Sequence, residues 1–219
     1  EALYKNGIDA DISFYATSNT AVGYQSLHEN TTGYRNTALG YQSMWTNETG
    51  YANTAIGYMS FYLNENGYRN TCLGYYSLYS NESGYDNTAI GILALYDNTS
   101  GFYNSALGSY SLANNTDGKL NTSAGRWSMY WNSTGDYNTA FGCYAGDSQD
   151  DNTSCTFVGY YADASGGDLT NSSAFGRSTY VNEDNQIHIG NTSVSEIAGQ
   201  VNWGTYSDQR FKVNIEENI

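Results

Sequence analysis

The chain has no proline among its 219 residues, so no residue lacks a backbone N–H and nothing interrupts a hydrogen-bonded ladder. Charge is almost as scarce. Asp, Glu, Lys and Arg make up 14% of the residues, where a typical soluble domain carries about 25%. Lys and Arg number 8 against 22 Asp and Glu, a formal net charge of −14. That balance argues against nucleic acid or an anionic membrane as partner, since both need a basic patch. The acidity names no positive partner; its plain reading is the solubility of a long polar surface. No apolar run approaches the roughly 20 residues of a membrane helix, so direct membrane insertion is not expected. No signal peptide is visible, and Glu1 reads as an internal start. The three cysteines are odd in number and have no metal-ligand spacing. Cys72 reads as a small core residue, while Cys143 and Cys155 flank a polar loop and could form a local disulfide. The sequence calls for no cofactor.

What fills the space is Asn, Ser, Thr, 24 Gly and 23 Tyr, arranged with a strict period. Asparagine recurs every 17 residues at Asn19, Asn36, Asn53, Asn70, Asn87, Asn104, Asn121 and Asn138. A period of this length without a helical pattern means stacked coils, each covering its neighbour. Counting that Asn as position one, each coil reads as two short β segments, such as Thr37-Ala38-Leu39 and Gln42-Ser43-Met44-Trp45, with turns between them. The predicted fold is all-β, a parallel β-roll or β-solenoid of 17-residue, two-strand coils about 4.8 Å apart. Residues 1–18 read as a lead-in or capping coil, 19–146 as regular repeats, 147–190 as degenerate coils with inserted loops, and 191–219 as a junction.

The columns assign faces. Position four (Val22, Leu39, Ile56, Leu73, Ile90, Leu107, Ala124, Phe141) and position nine (Leu27 through Met129) are expected to point inward. Position three, Ala21 to Ala140, then points outward, because strand side chains alternate. Glycine at positions five and fifteen marks backbone with positive φ or a very close neighbour. Asn at positions one and twelve suits corners and can bond to the same Asn one coil away. About two large apolar residues per coil is a thin core, so a lone roll looks marginal. The Ala and aromatic columns are therefore expected to bury themselves against other copies of the chain, and Ala55→Arg is expected to block assembly.

The aromatic columns form ladders. Position six runs Tyr24, Tyr41, Tyr58, Tyr75; position sixteen runs Tyr34, Tyr51, Tyr68, Tyr85, Phe102; position ten runs His28, Trp45, Tyr62, Tyr79, Tyr96. Their first reading is structural, as stacking between coils and filling of oligomer interfaces. Their second is a strip that binds carbohydrate, and the Thr column beside them raises ice as a weaker idea. Sequons include Asn30, Asn47, Asn81, Asn98 and Asn132, which read as turn residues or as a row of glycan acceptors at the corners. Asp147, Asp150 and Asp151 could hold Ca²⁺ but lack EF-hand spacing, and a solvated acidic loop is preferred. His28 and His188 read as ladder or surface residues.

The motif Asn-Thr-Ala-φ-Gly-x-x-Ser-φ (φ apolar) resembles the head repeats of trimeric autotransporter adhesins, the YadA-like left-handed parallel β-roll, with a longer repeat. Residues Asn185 to Thr192, Gly199 to Trp203 and Ser207-Asp208-Gln209-Arg210-Phe211-Lys212 resemble the junction before an intramolecular chaperone of the peptidase S74 type, found on phage tail fibres and related surface fibres. The resemblance implies a left-handed homotrimer, an extracellular or virion location, and one-time self-cleavage with Ser207 as nucleophile and Lys212 as its base. The fold expected to bury Lys212 is not among these residues, so the self-cleavage machinery is expected to be incomplete here. The expected function is a structural and adhesive fibre segment, not an enzyme. A monomeric or end-to-end filamentous solenoid with an aromatic face for glycan, ice or another surface is the alternative.

Overall fold

The computed structural model describes residues 2–6, 16–148, 151–165 and 167–197. Eleven short strands stack into one parallel sheet: β1 (Thr20–Val22), β2 (Thr37–Leu39), β3 (Thr54–Ile56), β4 (Thr71–Leu73), β5 (Thr88–Ile90), β6 (Ser105–Leu107), β7 (Thr122–Ala124), β8 (Thr139–Phe141), β9 (Thr156–Val158), β11 (Ser173–Phe175) and β13 (Ile187–Ile189). Register is set by the period, with Thr20 opposite Thr37 and Ala21 opposite Ala38. Thr37 N donates to Asn53 O and Gly40 N to Val22 O, both at 2.8 Å, so each strand is bonded to the coils on both sides.

In the regular coils only one segment is a strand. The stretch Gln42–Trp45, expected as a second strand, is a run of turns. Gln42 and Met44 adopt the left-handed region at φ 48° and 52°. Ser43 and Met44 are both fully buried, whereas consecutive residues of an extended strand point to opposite faces. The left-handed residues turn both side chains inward while the backbone still bonds to the next coil, Met44 N to Ser60 O at 3.0 Å and Thr46 N to Tyr62 O at 3.1 Å.

The assignment of strand faces was inverted. Position three points in: Ala38, Ala55, Cys72, Ala89, Ala106 and Ala140 are completely buried. Position four points out, with Leu39 and Leu73 each 44% exposed and Phe141 64%. The physical reason is width. Position nine already fills the interior with Leu27, Met44, Phe61, Leu78, Leu95, Leu112 and Met129, and opposite such side chains the thin coil has room for a methyl group. Ala55→Arg therefore introduces a charge into the core and does not probe an interface.

Much of the rest of the interior is polar. Asn at position twelve forms one ladder, Asn47 Nδ2 donating to Asn30 Oδ1 at 2.8 Å and to Gly50 O at 3.0 Å. Asn at position one forms another: Asn36 Oδ1 accepts from Asn53 N at 2.9 Å, and Asn36 Nδ2 donates to Gly50 O at 2.7 Å. These bonds satisfy amides that are otherwise costly to bury. Gly50 is obligatory in this packing, because a Cβ there would lie 2.4 Å from Asn47 Oδ1, Asn64 Nδ2 and Gly67 O.

The ends vary the theme. Leu3-Tyr4-Lys5-Asn6 occupies positions nine to twelve of an additional partial coil: Leu3 N donates to Ser26 O, and Asn6 Oδ1 accepts from Asn30 as every later Asn does from its successor. Beyond Gly142 the sequence looks irregular, yet β8, β9 and β11 keep 17-residue register, so nothing is inserted between those strands. Cys155 takes the position-one site of Asn, its thiol directed at Leu169 O at 3.3 Å. Phe157 takes an Ala site because the preceding coil has Gly146 where others have Leu, Met or Phe; a Cβ on Gly146 would sit 2.8 Å from the Phe157 ring. A second parallel pair appears here, β10 (Asp163–Ala164) with β12 (Tyr180–Val181). The last step is shorter: Ser173 pairs with Ile187, 14 residues on.

Candidate interaction surfaces

The outward face of the large sheet is built from positions two, four and six. Thr and Ser line position two and the Val, Leu, Ile and Phe of position four stand beside them. Position six adds Tyr24, Tyr41, Tyr58 and Tyr75, all 40% to 58% exposed. Their rings stack at 5.0–5.3 Å with planes within 15°. The result is an apolar and aromatic stripe on the long, straight side of the rod.

At Tyr75 the ladder changes column. Tyr76 meets Tyr75 edge-on at 4.3 Å, and from Tyr110 onward the aromatic track runs through position seven as Tyr110, Trp127, Tyr144 and Tyr161, with centroids 4.4, 6.3 and 4.6 Å apart. This second track was missed. Its signal was present in the sequence as a 17-residue recurrence, hidden because the earlier coils have Gln25, Gln42 and Met59 there. Desolvation, followed by a hydrogen bond with Tyr75, pushes the Tyr76 phenol up to about 12.

Two further ladders run along other sides. Tyr34, Tyr51, Tyr68, Tyr85 and Phe102 stack at 4.8–5.1 Å with planes within 7°. Arg35 and Arg69 lie over Tyr34 and Tyr68 at 5.7 and 5.0 Å, and Arg69 also pairs with Asp86 at 2.8 Å. These four tyrosines are half-buried, less available than the position-six set. Tyr4, His28, Trp45, Tyr62, Tyr79 and Tyr96 form the other stack, which places His28 as a ladder residue. Burial pushes the Tyr62, Tyr79 and Tyr96 phenols up.

The sequon asparagines face the wrong way for glycans. Asn30, Asn47, Asn81, Asn98 and Asn132 are at most 3% exposed, and their Nδ2 atoms are spent on the ladder. A glycan replaces a proton on that nitrogen and would have to sit inside the coil.

The acidic loop is a cap and a titrating group. Asp151 accepts from Ser133 N and Thr134 N at 2.6 and 2.8 Å and from the Thr134 hydroxyl at 2.8 Å. Though partial burial opposes it, these bonds hold its carboxyl below the usual range. Asp147 is pushed up to about 7 by burial and by Asp163, and its Oδ1 has no hydrogen-bond partner among the described residues. Asp150 lies outside the described residues, as do Ser207 and Lys212. Cys72, Cys143 and Cys155 are free thiols, Cys143 half-exposed and the other two buried.

An open groove of about 600 Å³ near the last coil is lined by Ser178, Tyr180, His188, Gly190, Asn191 and Thr192. Its polar groups are engaged locally: His188 Nδ1 with Tyr180 O, and Asn191 Nδ2 with Arg177 O. No protein-family model, curated protein or solved structure matches the chain.

Proposed function

We propose that this chain is a structural and adhesive segment of an extracellular fibre, in which parallel copies join along the outward sheet face to make a homotrimer that presents a rigid, repetitive surface on a cell or virion. The observation that carries this reading is the continuous apolar column at position four. Contiguous apolar surface beyond a few hundred Å² is rare on a monomer. Val22, Leu39, Leu73, Leu107 and Phe141 at position four and Tyr24, Tyr41, Tyr58 and Tyr75 at position six are each 40% to 64% exposed along one face, and a standard interface buries about 800 Å² per partner. The resemblance to trimeric adhesin heads and to the S74-type junction supports the threefold and the location. In this reading attachment gains strength from repetition and avidity rather than from one deep pocket.

The test is the mass of the folded chain in solution. About three chains is the expected result, and Leu73→Arg, at an exposed position, is expected to give a folded single chain. A wild-type mass of one chain overturns the proposal.

A second reading, a monomeric or end-to-end filamentous solenoid that binds glycan, ice or another surface, rests on the Tyr24–Tyr75 ladder, whose rings are stacked and accessible. It calls for Tyr41→Ser with Tyr58→Ser to abolish retention on a glycan array or an ice surface without loss of fold. Retention unchanged by those substitutions removes it.

A further inference from the structure

The outward column is uneven at one place, and there the unevenness has a direction. Ten of its eleven members are Val, Leu, Ile or Phe; the seventh is Ala124 and the eighth is Phe141. Ala124 pairs with Leu107 on one side and Phe141 on the other, so the smallest and the largest residues of that neighbourhood are on adjacent coils. Phe141 is 64% exposed, the highest value in the column. Nothing in the chain's own packing explains the order. Positions three and nine set the core, and both residues point away from it.

Resting on the self-association proposed above, we infer that Ala124 and Phe141 form a steric key that fixes axial register and parallel polarity between copies. Rotational symmetry about an axis along the rods places the same coil of every copy at the same height. The Phe141 rings then crowd one level, and the Ala124 methyls leave space at the level beside it for those rings to lean into. Alternating bulky and small layers fill a shared core without voids or clashes. A fully overlapped antiparallel pair loses this match, since it sets Phe141 against Leu73 and Ala124 against Ile90. That arrangement is crowded at one level and loose at the next. A parallel pair slipped by one coil fits Phe141 of one copy over Ala124 of the other, but leaves the reciprocal Phe141 against Val158, and a slipped arrangement cannot close.

The chain carries its own reporter. Cys143 lies two residues beyond Phe141 at position six and is half-exposed, whereas Cys72 and Cys155 are buried. In parallel, in-register copies the Cys143 thiols share a level. In the antiparallel arrangement they are four coils apart, about 20 Å at the usual strand spacing.

The experiment uses the full chain and a short bis-maleimide, with native mass measured alongside. Wild type is expected to give Cys143–Cys143 cross-linked species. Ala124→Phe stacks two aromatic layers and is expected to lower that yield roughly tenfold, as overpacking does. Ala124→Phe with Phe141→Ala restores a bulky layer beside a small one and is expected to recover it. Both sites face outward, so the far-ultraviolet circular dichroism of the variants should match wild type. If Ala124→Phe assembles and cross-links like wild type, the key is wrong while the self-association proposal stands. If wild type is a single chain, the self-association proposal itself falls, and the key with it.

Discussion

The side-chain nitrogen of Asn64 donates to Oδ1 of Asn47, one coil earlier, across 2.6 Å, and Asn64 Oδ1 accepts from Asn81 at 3.1 Å. Asn64 Oδ1 also takes Gly67 N–H at 2.9 Å. One buried side chain thus bonds to three coils. Asn64→Ala strands Asn47 Oδ1, Gly67 N–H and one N–H of the Asn81 amide, which keeps its bond to Gly84 O, and each stranded buried group costs about 1–3 kcal/mol. The expected loss is about 3 kcal/mol or more, read as the midpoint shift in urea. A loss under about 1 kcal/mol would mean that the ladder is incidental to stability.

Gly57 has φ +140°, and a Cβ on it would meet Gly74 O at 2.3 Å. Gly57→Ala must push neighbouring coils apart or distort the strand end, at about 3 kcal/mol or more. Thermal unfolding should show a large drop. The exposed Ala52, by contrast, sits in the left-handed region at φ 54°. Ala52→Gly removes the Cβ strain and is expected to stabilise by about 0.5–1 kcal/mol. A lowered melting temperature would contradict the left-handed assignment.

Ala55→Arg and Leu73→Arg separate core from surface. Ala55 is fully buried and Leu73 is 44% exposed. Ala55→Arg is expected to abolish the folded state, seen as loss of the cooperative thermal transition, while Leu73→Arg keeps that transition. The reverse outcome would restore the inward position-four column.

Asp147 gives the rod a pH dependence. Its carboxyl is raised to about 7 in the folded chain, against 3.8 as the ordinary value. Between these values the folded state holds a proton that the unfolded state has released, so stability falls as pH rises from about 4 to 7. Asp147→Asn should flatten this slope in denaturation midpoints measured from pH 4.5 to 7.5. An unchanged slope in the variant would assign the dependence to other groups.

Period, parallel stacking and register were legible because a 17-residue recurrence of Asn and Gly leaves little freedom. The inward Leu27–Met129 column was legible too, since it is apolar in every regular coil. The strand faces were not. Alternation shows that Ala38 and Leu39 point oppositely but not which is inside, and ranking by hydrophobicity chose Leu39. What decides is the width left by Met44, a property of the closed coil and not of the strand. The missing second strand has a similar cause. Gln42-Ser43-Met44-Trp45 has strand-like composition, but its left-handed turns fall on Gln and Met, which carry no local signal for positive φ. The sequons failed as glycan sites for the same reason: Asn47 looks like a corner residue in the sequence, whereas the ladder draws its side chain inside.

The position-twelve amides all point one way. From Asn30 to Asn132, each later coil supplies the N–H and each earlier coil the oxygen. At position one the same order holds, the backbone N–H of each coil donating to the Asn Oδ1 of the one before. A chain made N-terminus first therefore meets an acceptor already in place whenever it adds a coil. The backbone bonds run both ways, Thr37 N donating forward to Asn53 O and Gly40 N back to Val22 O, so the one-way grain of the rod belongs to its asparagine ladders and follows the direction of translation.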